Sequence, residues 1–321
     1  MKIKNKKILL TGGAGFIGST LTAALIKDNE VLIYDNFSRD SLANKNITSK
    51  NLKVVKDDVL NFDALRKACE DFRPQIVVHL AAIAGIDTVI INPVRTLDVN
   101  INGTLNLLKA LKRYSGKLER VLDFSTSEVL GAYAYKSNEK SSTNFAPVGE
   151  ARWTYSISKV TGEHLMHSFY KMHGYPIVTV RPFNIYGPGQ VGEGAIQIFI
   201  KNVVKKKNIE IHGDGDQIRS WCYIDDMMNG IEKCLTNKKA IGEIFNIGNP
   251  KGTITISSLA EKIVSLCKSH SKIVYVPKNY VDVELRIPSI EKAKDLLGFI
   301  PQVDLNEGIL KTYQWYKKNR D

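Results

Sequence analysis

Thr11-Gly12-Gly13-Ala14-Gly15-Phe16-Ile17-Gly18 is the stretch from which the fold can be read. An apolar run, residues 7–11, precedes it, and a helical pattern over 17–27 follows. Three glycines alone mark only a turn. Between a strand and a helix near the start of the chain they describe a phosphate-binding turn. Gly12 and Gly15 let the backbone turn tightly and approach a pyrophosphate without Cβ interference, and Gly18 lets the helix pack closely on the sheet. The helix N-terminus, with Phe16 and Ile17, presents free N–H groups to the anion. Asp35 closes the next apolar run, followed by Asn36. A carboxylate there accepts hydrogen bonds from ribose hydroxyls and repels a 2′-phosphate, so NAD is expected rather than NADP, with Arg39 near enough to moderate that preference.

Outward from this turn, short apolar runs alternate with helical periodicity. Strands are expected over 7–11, 30–34, 52–56, 76–80, 121–125 and 176–181, with helices over 62–70, 94–114 and about 155–173 between them. Residues 133–150 read as a polar loop and 187–194 as a Gly/Pro-rich loop. Beyond it the pattern loses regularity: helices over 195–205, 256–269, 289–297 and 305–318, and strands over 209–212 and 243–247. The fold class is therefore α/β, a doubly wound parallel Rossmann sheet with a smaller, interleaved C-terminal α/β substrate domain. The expected division is a dinucleotide domain over 1–183, to which 222–250 return, and a substrate domain over 184–221 and 251–321.

Composition bounds the function classes. The 321 residues are 43% hydrophobic and 24% charged, with a net charge of +12. The lysines are dispersed, with small clusters at 205–207, 238–239 and 317–318, rather than gathered in the stripe that nucleic acid requires, so no nucleic-acid partner is expected. The basic field would still draw in a dianionic diphosphate. The apolar run before Gly12 is too short for a signal peptide or a membrane span, which implies a cytoplasmic protein without a membrane partner. Cys69, Cys222, Cys234 and Cys267 are scattered and read as reduced, buried thiols. His164 and His167 could share a helix face, but no third ligand is near, so no metal is expected.

Two patterns carry chemistry. Tyr155-Ser156-Ile157-Ser158-Lys159 stacks a phenol and an ammonium on one helix face. The ammonium is expected to favour the phenolate, so that Tyr155 can exchange a proton with a substrate hydroxyl. Ser125-Thr126-Ser127-Glu128 stands at the carboxyl end of the fifth expected strand, where ligands bind in such sheets. Its hydroxyls could bond the reacting hydroxyl, and Glu128 could act as a second acid or base. The blander reading is a capped turn, since Ser and Thr are common there.

Taken together with Asp58-Val59, His79-Leu80-Ala81-Ala82, Asn100-x-x-Gly103-Thr104, Arg181-Pro182-Phe183-Asn184-Ile185-Tyr186-Gly187-Pro188 and Gly213-Asp214-Gly215…Arg219-Ser220…Tyr223-Ile224-Asp225-Asp226, the chain resembles the extended short-chain dehydrogenases that act on nucleotide sugars, over essentially its whole length. The resemblance implies NAD as cofactor, a nucleotide-diphosphosugar substrate, and Thr126, Tyr155 and Lys159 as catalytic triad. It places Asp58 and Val59 at the adenine, and Leu80, Ala81, Ala82, Asn100 and Phe183 around the cofactor. Asn184 and Arg219 match residues that bind the diphosphate, and Ser127, Glu128 and Arg286 positions at the sugar.

Arg152-Trp153-Thr154-Tyr155 and Arg286-Ile287-Pro288-Ser289-Ile290 resemble UDP-glucuronate decarboxylases. Thr126-Ser127-Glu128 also resembles GDP-mannose 4,6-dehydratases, where the glutamate removes the C5 proton, while simple 4-epimerases usually lack that glutamate. Leu130 replaces the tyrosine usual after this motif. The expected activity is oxidation of the C4 hydroxyl to a 4-keto sugar, with a 4-dehydrogenase or 4,6-dehydratase outcome, in bacterial surface-polysaccharide biosynthesis. Oxidative decarboxylation is the alternative, and 4-epimerisation ranks below it. The family also implies a homodimer or higher homo-oligomer built through the helices at 94–114 and 155–173.

Overall fold

The computed structural model describes the chain apart from Asn46, Ala146, residues 279–281, Arg320 and Asp321, and the side chains of Tyr114 and Ser115. Strands β1 (Lys7–Thr11), β2 (Glu30–Asp35), β3 (Leu52–Lys56), β4 (Ile76–His79), β5 (Arg120–Phe124), β7 (Ile177–Pro182) and β12 (Ile244–Ile247) form one sheet in the order β12-β7-β5-β4-β1-β2-β3. Every pairing in it is parallel. The order reverses between β1 and β4, which opens a crevice at the carboxyl ends of those two strands.

The central strands β1, β4 and β5 are buried almost throughout because helices cover both faces. Alternation within a strand divides the core. Ile8 and Leu10 of β1 point into one cluster with Ile33, Val78, Leu122 and Val180, against helices α1 (Phe16–Leu25) and α8 (Ile224–Thr236). Leu9 points into the other with Leu32, Val77 and Val121, against α2 (Phe62–Phe72), α5 (Gly103–Leu111) and α6 (Thr154–His173). The ends of these helices follow local chemistry: the Asn61 side chain accepts from Ala64 N–H to start α2, and Gly174, at φ 67°, closes α6.

A second sheet, ordered β13-β10-β15-β6, joins Thr253–Thr255 (β13), Ile218–Ser220 (β10), Leu285–Pro288 (β15) and Tyr133–Ser137 (β6). Two small pairs complete the strands, β8 (Ile185–Tyr186) with β11 (Cys222–Tyr223), and β9 (Ile209–His212) with β14 (Ile273–Val276). The remaining helices are α3 (Ile86–Ile91), α4 (Pro93–Leu97), α7 (Ala195–Val204), α9 (Ile256–Leu266), α10 (Glu291–Leu297) and α11 (Leu305–Lys318).

Three expectations change. The loop expected over 133–150 contains β6, which gains its order from pairing with β15, some 150 positions distant, and so has no local signature. Helix α8 was not expected, although Asp225 and Asp226 in its first turn complement the helix dipole. The single helix expected over 94–114 is α4, a π-turn at Asp98–Asn102, and α5. That π-turn aims Asn100 at the loop after β4, as described below. Among the described residues, no helix is long and apolar enough to cross a membrane, and no group of His, Cys, Asp or Glu has a metal-binding arrangement. All four cysteines are free and buried.

Candidate active site

A cleft of about 720 Å3 opens at the crevice where the strand order reverses, within the range of small-molecule and cofactor sites. Gly12, Gly15, Phe16, Ile17, Gly18, Asp35, Asn36, Asp58, Val59, Leu80, Ala81, Ala82, Tyr155, Lys159 and Asn184 line it, as do Arg39, Thr88, Arg95, Ser125, Gln190 and Val191.

The glycine turn fits a dinucleotide on geometry alone. Gly12 adopts φ +71°, and a Cβ there would stand 2.5 Å from Ala81 N. A Cβ on Gly18 would meet Gly12 O at 2.6 Å. The turn is thus closed against the loop after β4, and Gly15, Phe16, Ile17 and Gly18 at the start of α1 line the cleft, the place where helix N–H groups hold a phosphate. Asp35 supports it from behind: its carboxylate accepts from Ala14 N–H at 2.9 Å and from Phe37 N–H at 2.7 Å, and each oxygen keeps a lone pair for a ribose hydroxyl. Asp58 is held by Arg95 at 2.6 Å and by Asn36 at 3.2 Å. Gly12→Ala is expected to weaken NADH binding about tenfold or more, since left-handed strain of about 1–3 kcal/mol adds to the clash. Fluorescence titration measures it, and unchanged affinity would remove this turn from the cofactor site.

Two expected cofactor residues do not line the cleft. Asn100 lies behind its wall, where its side chain exchanges hydrogen bonds with the backbone of Ile83 at 2.8 and 3.1 Å and donates to Ser158 Oγ at 2.9 Å. Phe183 is fully buried among Val129, Leu130 and Ala134.

Tyr155 sits in the first turn of α6 with Lys159 one turn on. Thr126, at the end of β5, accepts a hydrogen bond from Glu128 N–H at 3.2 Å, and its hydroxyl also reaches the Tyr155 phenol. The expected depression of the Tyr155 pKa is corrected here. Burial, with the nearby Glu128 charge, raises it above the ordinary tyrosine value. The Lys159 ammonium donates to Phe124 O at 2.6 Å, and burial lowers its own pKa against the opposing charges of Asp123 and Glu163.

Behind this pair lies a buried ionic cluster outside the open cleft. Glu128 accepts from Arg152 through both oxygens, at 2.6 and 3.0 Å. Arg286 Nη1 approaches it at 3.5 Å, and Ser156 Oγ at 3.4 Å. Arg219 pairs with Asp282 at 3.3 Å and donates to Val283 O, while Lys278 and Arg152 reach the same aspartate at 3.5 and 3.7 Å. Burial alone would raise the Glu128 pKa, but Arg152 and Arg286 hold it down at about 2. Glu128, expected as a second acid or base, is thus held as an ionised carboxylate by Arg152 and Arg286. Ser127 is buried in the adjoining 310 turn. Asn184, at φ +41°, donates to Ser220 O from the cleft wall.

Sequence reasoning quoted Arg152 only as part of a motif and passed over Asp282 and Lys278. Their roles depend on bringing β15 and the segment before it against the end of β5, and no local pattern encodes that.

Comparison with known proteins agrees with this geometry. A family model described as the NAD dependent epimerase/dehydratase family matches residues 8–248. The UDP-N-acetyl-alpha-D-glucosaminuronate decarboxylase of Bacillus cytotoxicus is 32% identical over 98% of this chain and 98% of its own length. The dTDP-glucose 4,6-dehydratase 1 of Escherichia coli is 32% identical over 98% and 93%. The structure of the UDP-glucuronic acid 4-epimerase from Bacillus cereus, in complex with UDP-glucuronic acid and NAD, superposes with a TM-score of 0.88 at 32% identity, covering 97% of this chain and 99% of that one.

Proposed function

Since the chain belongs to the NAD-dependent epimerase/dehydratase family, we propose that it oxidises the C4 hydroxyl of a nucleotide-diphosphosugar to a 4-keto sugar, and that the sugar carries a carboxylate on C5. The carrying observation is the clamp on Glu128. A carboxyl held at about 2 by Arg152 and Arg286 is poorly suited to pull a proton from C5, which a dehydratase outcome requires. A 4-keto sugar with a C5 carboxylate is a β-keto acid. It loses CO2 as the carbon–carbon bonding pair moves into the enolate, and no base at C5 is needed. Arg152, Arg219, Arg286 and Lys278 outnumber Glu128 and Asp282 in the same cluster. An anionic sugar and its diphosphate would balance that excess. Arg286 Nε, buried and without a hydrogen-bond partner among the described residues, is one donor awaiting such a group.

In the oxidation, Tyr155 acts as the phenolate: its deprotonated oxygen takes the proton of the C4 hydroxyl, while the Thr126 hydroxyl donates to that oxygen and the Lys159 charge stabilises it. Bound NAD supplies the hydride acceptor. Homodimerisation belongs to the same reading and is supported by the exposed Ile91, Val94 and Ile157 on α3, α4 and α6.

The test is direct. Purified protein is offered UDP-glucuronate, UDP-N-acetylglucosaminuronate, UDP-glucose and dTDP-glucose, and products are followed by NMR. The expected result is CO2 release from a uronate with kcat/KM at least about a hundredfold above any neutral hexose, consistent with about 3 kcal/mol for loss of a charge-assisted contact. Elimination of water from a neutral hexose, or a 4-epimer without CO2, would overturn the decarboxylation.

A further inference from the structure

Beneath the Tyr155/Lys159 pair lie three further buried charges, Asp123, Glu163 and Arg181, that the reaction above does not use. Glu163 is one turn beyond Lys159 on α6 and shares its helix face. Its carboxylate accepts from Arg181 of β7 through both oxygens, Nε at 2.8 Å and Nη2 at 2.7 Å, and from Ser125 Oγ of the residue just after β5 at 2.5 Å. Asp123 of β5 is buried on the same side, with Thr179 Oγ1 at 3.5 Å. Lys159, Asp123, Glu163 and Arg181 are all less than a tenth exposed. His79 of β4 faces Lys159 as well, but it is bonded between the hydroxyls of Thr11 and Thr104 at 2.6 and 3.0 Å, and burial keeps it neutral.

The charges close on themselves: two cations, Lys159 and Arg181, against two carboxylates, Asp123 and Glu163. Buried ionic groups of this kind are costly unless fully paired. Bidentate pairing with Arg181 together with the Ser125 bond fixes where Glu163 sits, and hence the height of α6 above the ends of β5 and β7. Ser125 is the neighbour of Thr126 in the chain, so a single carboxylate ties the strand end that carries Thr126 to the helix that carries Tyr155 and Lys159.

We propose that Asp123 and the Glu163–Arg181 pair are positioning residues: a buried charge cradle that holds the Lys159 ammonium and fixes α6 against β5. The proposal deepens the catalytic reading of Tyr155 and Lys159 and rests on it. The Lys159 ammonium donates to Phe124 O, and the two carboxylates supply the negative potential that keeps it charged despite burial. Removing either carboxylate charge lowers the Lys159 pKa, because an opposite charge favours the ionised form. The alkaline limb of the rate profile then moves down.

The experiment measures the pH dependence of NAD reduction by nucleotide sugar in the parent, Glu163→Gln, Asp123→Asn and the double variant Glu163→Gln/Arg181→Gln. Each single carboxylate-to-amide change is expected to shift the alkaline limb of kcat down by about one pH unit, with KM for the sugar nucleotide within about twofold. Removing the Glu163 and Arg181 charges together restores the balance at Lys159, so the double variant should return the limb toward the parent position, which a merely structural defect would not do. Should Glu163→Gln fail to fold because Arg181 is left alone, Asp123→Asn carries the same test with an isosteric amide. A folded variant whose limb stays within about 0.3 units of the parent overturns the cradle. Turnover that survives Tyr155→Phe would instead remove the catalytic premise, so the two failures are distinguishable.

Discussion

Tyr155→Phe is expected to lower the rate of C4 oxidation by about 10^3-fold, within the range for loss of a positioned acid–base group, while sugar-nucleotide affinity changes by less than about threefold. The change deletes one oxygen from a partly buried ring and leaves α6 and its charges in place. Single-turnover reduction of NAD, followed at the absorbance of NADH, measures the chemical step, and calorimetric titration with the sugar nucleotide measures affinity. Undiminished turnover would refute the assignment of the proton acceptor. Burial holds the phenol above its ordinary pKa and the Glu128 charge adds to this, while the Thr126 hydroxyl and the Arg152 and Arg39 charges oppose it. A binding protein without catalysis would have no use for a phenol so placed, and only the oxidoreductase reading makes the rate and the affinity respond differently.

The parts of this site that are legible in the sequence are those whose chemistry is local. The glycine turn, Asp35 and the Tyr155/Lys159 spacing each need only one strand, one turn or one helix face, and each lines the cleft. The seven strands of the main sheet likewise read as apolar runs between helical patterns. What is not legible depends on distant pairing. Strand β6 has exposed tyrosines at 133 and 135 and a single buried alanine, so nothing in its own composition separates it from a polar loop; β15 gives it its order. Glu128 reads as a free acid or base until the fold brings Arg152 and Arg286 onto it, and the same contacts turn it into a fixed anion. Lys159 reads in the sequence only beside Tyr155, yet burial lowers its pKa while Asp123 of β5 and Glu163, one turn on along α6, oppose that shift. Ionic identity is visible in a sequence; ionic state belongs to the assembled neighbourhood.

That distinction gives the largest expected effect on stability, at Arg152. Its guanidinium is bidentate to Glu128, and both side chains are withdrawn from water, at 5% and 18% exposure. Arg152→Met keeps much of the volume but leaves Glu128 with Arg286 at 3.5 Å as its nearest remaining cation among the described ion pairs. Breaking a buried pair from one side costs about 3–5 kcal/mol, and urea unfolding at pH 7 should show a loss of that order. The pH dependence fixes the cause. Glu128 titrates at about 2 in the folded protein and near 4.5 when unfolded. A depressed carboxylate contributes stability that is fully present above the unfolded value and is lost as pH falls toward the folded one, at up to about 1.4 kcal/mol per unit. Arg152→Met raises the folded value toward the unfolded one, so the variant should lose stability less steeply than the parent between pH 4.5 and 2, and the two curves should converge in acid. Parallel curves across that range would mean that Arg152 stabilises by packing on Trp153 rather than by holding the Glu128 charge. The fixed anion would then no longer support decarboxylation over elimination.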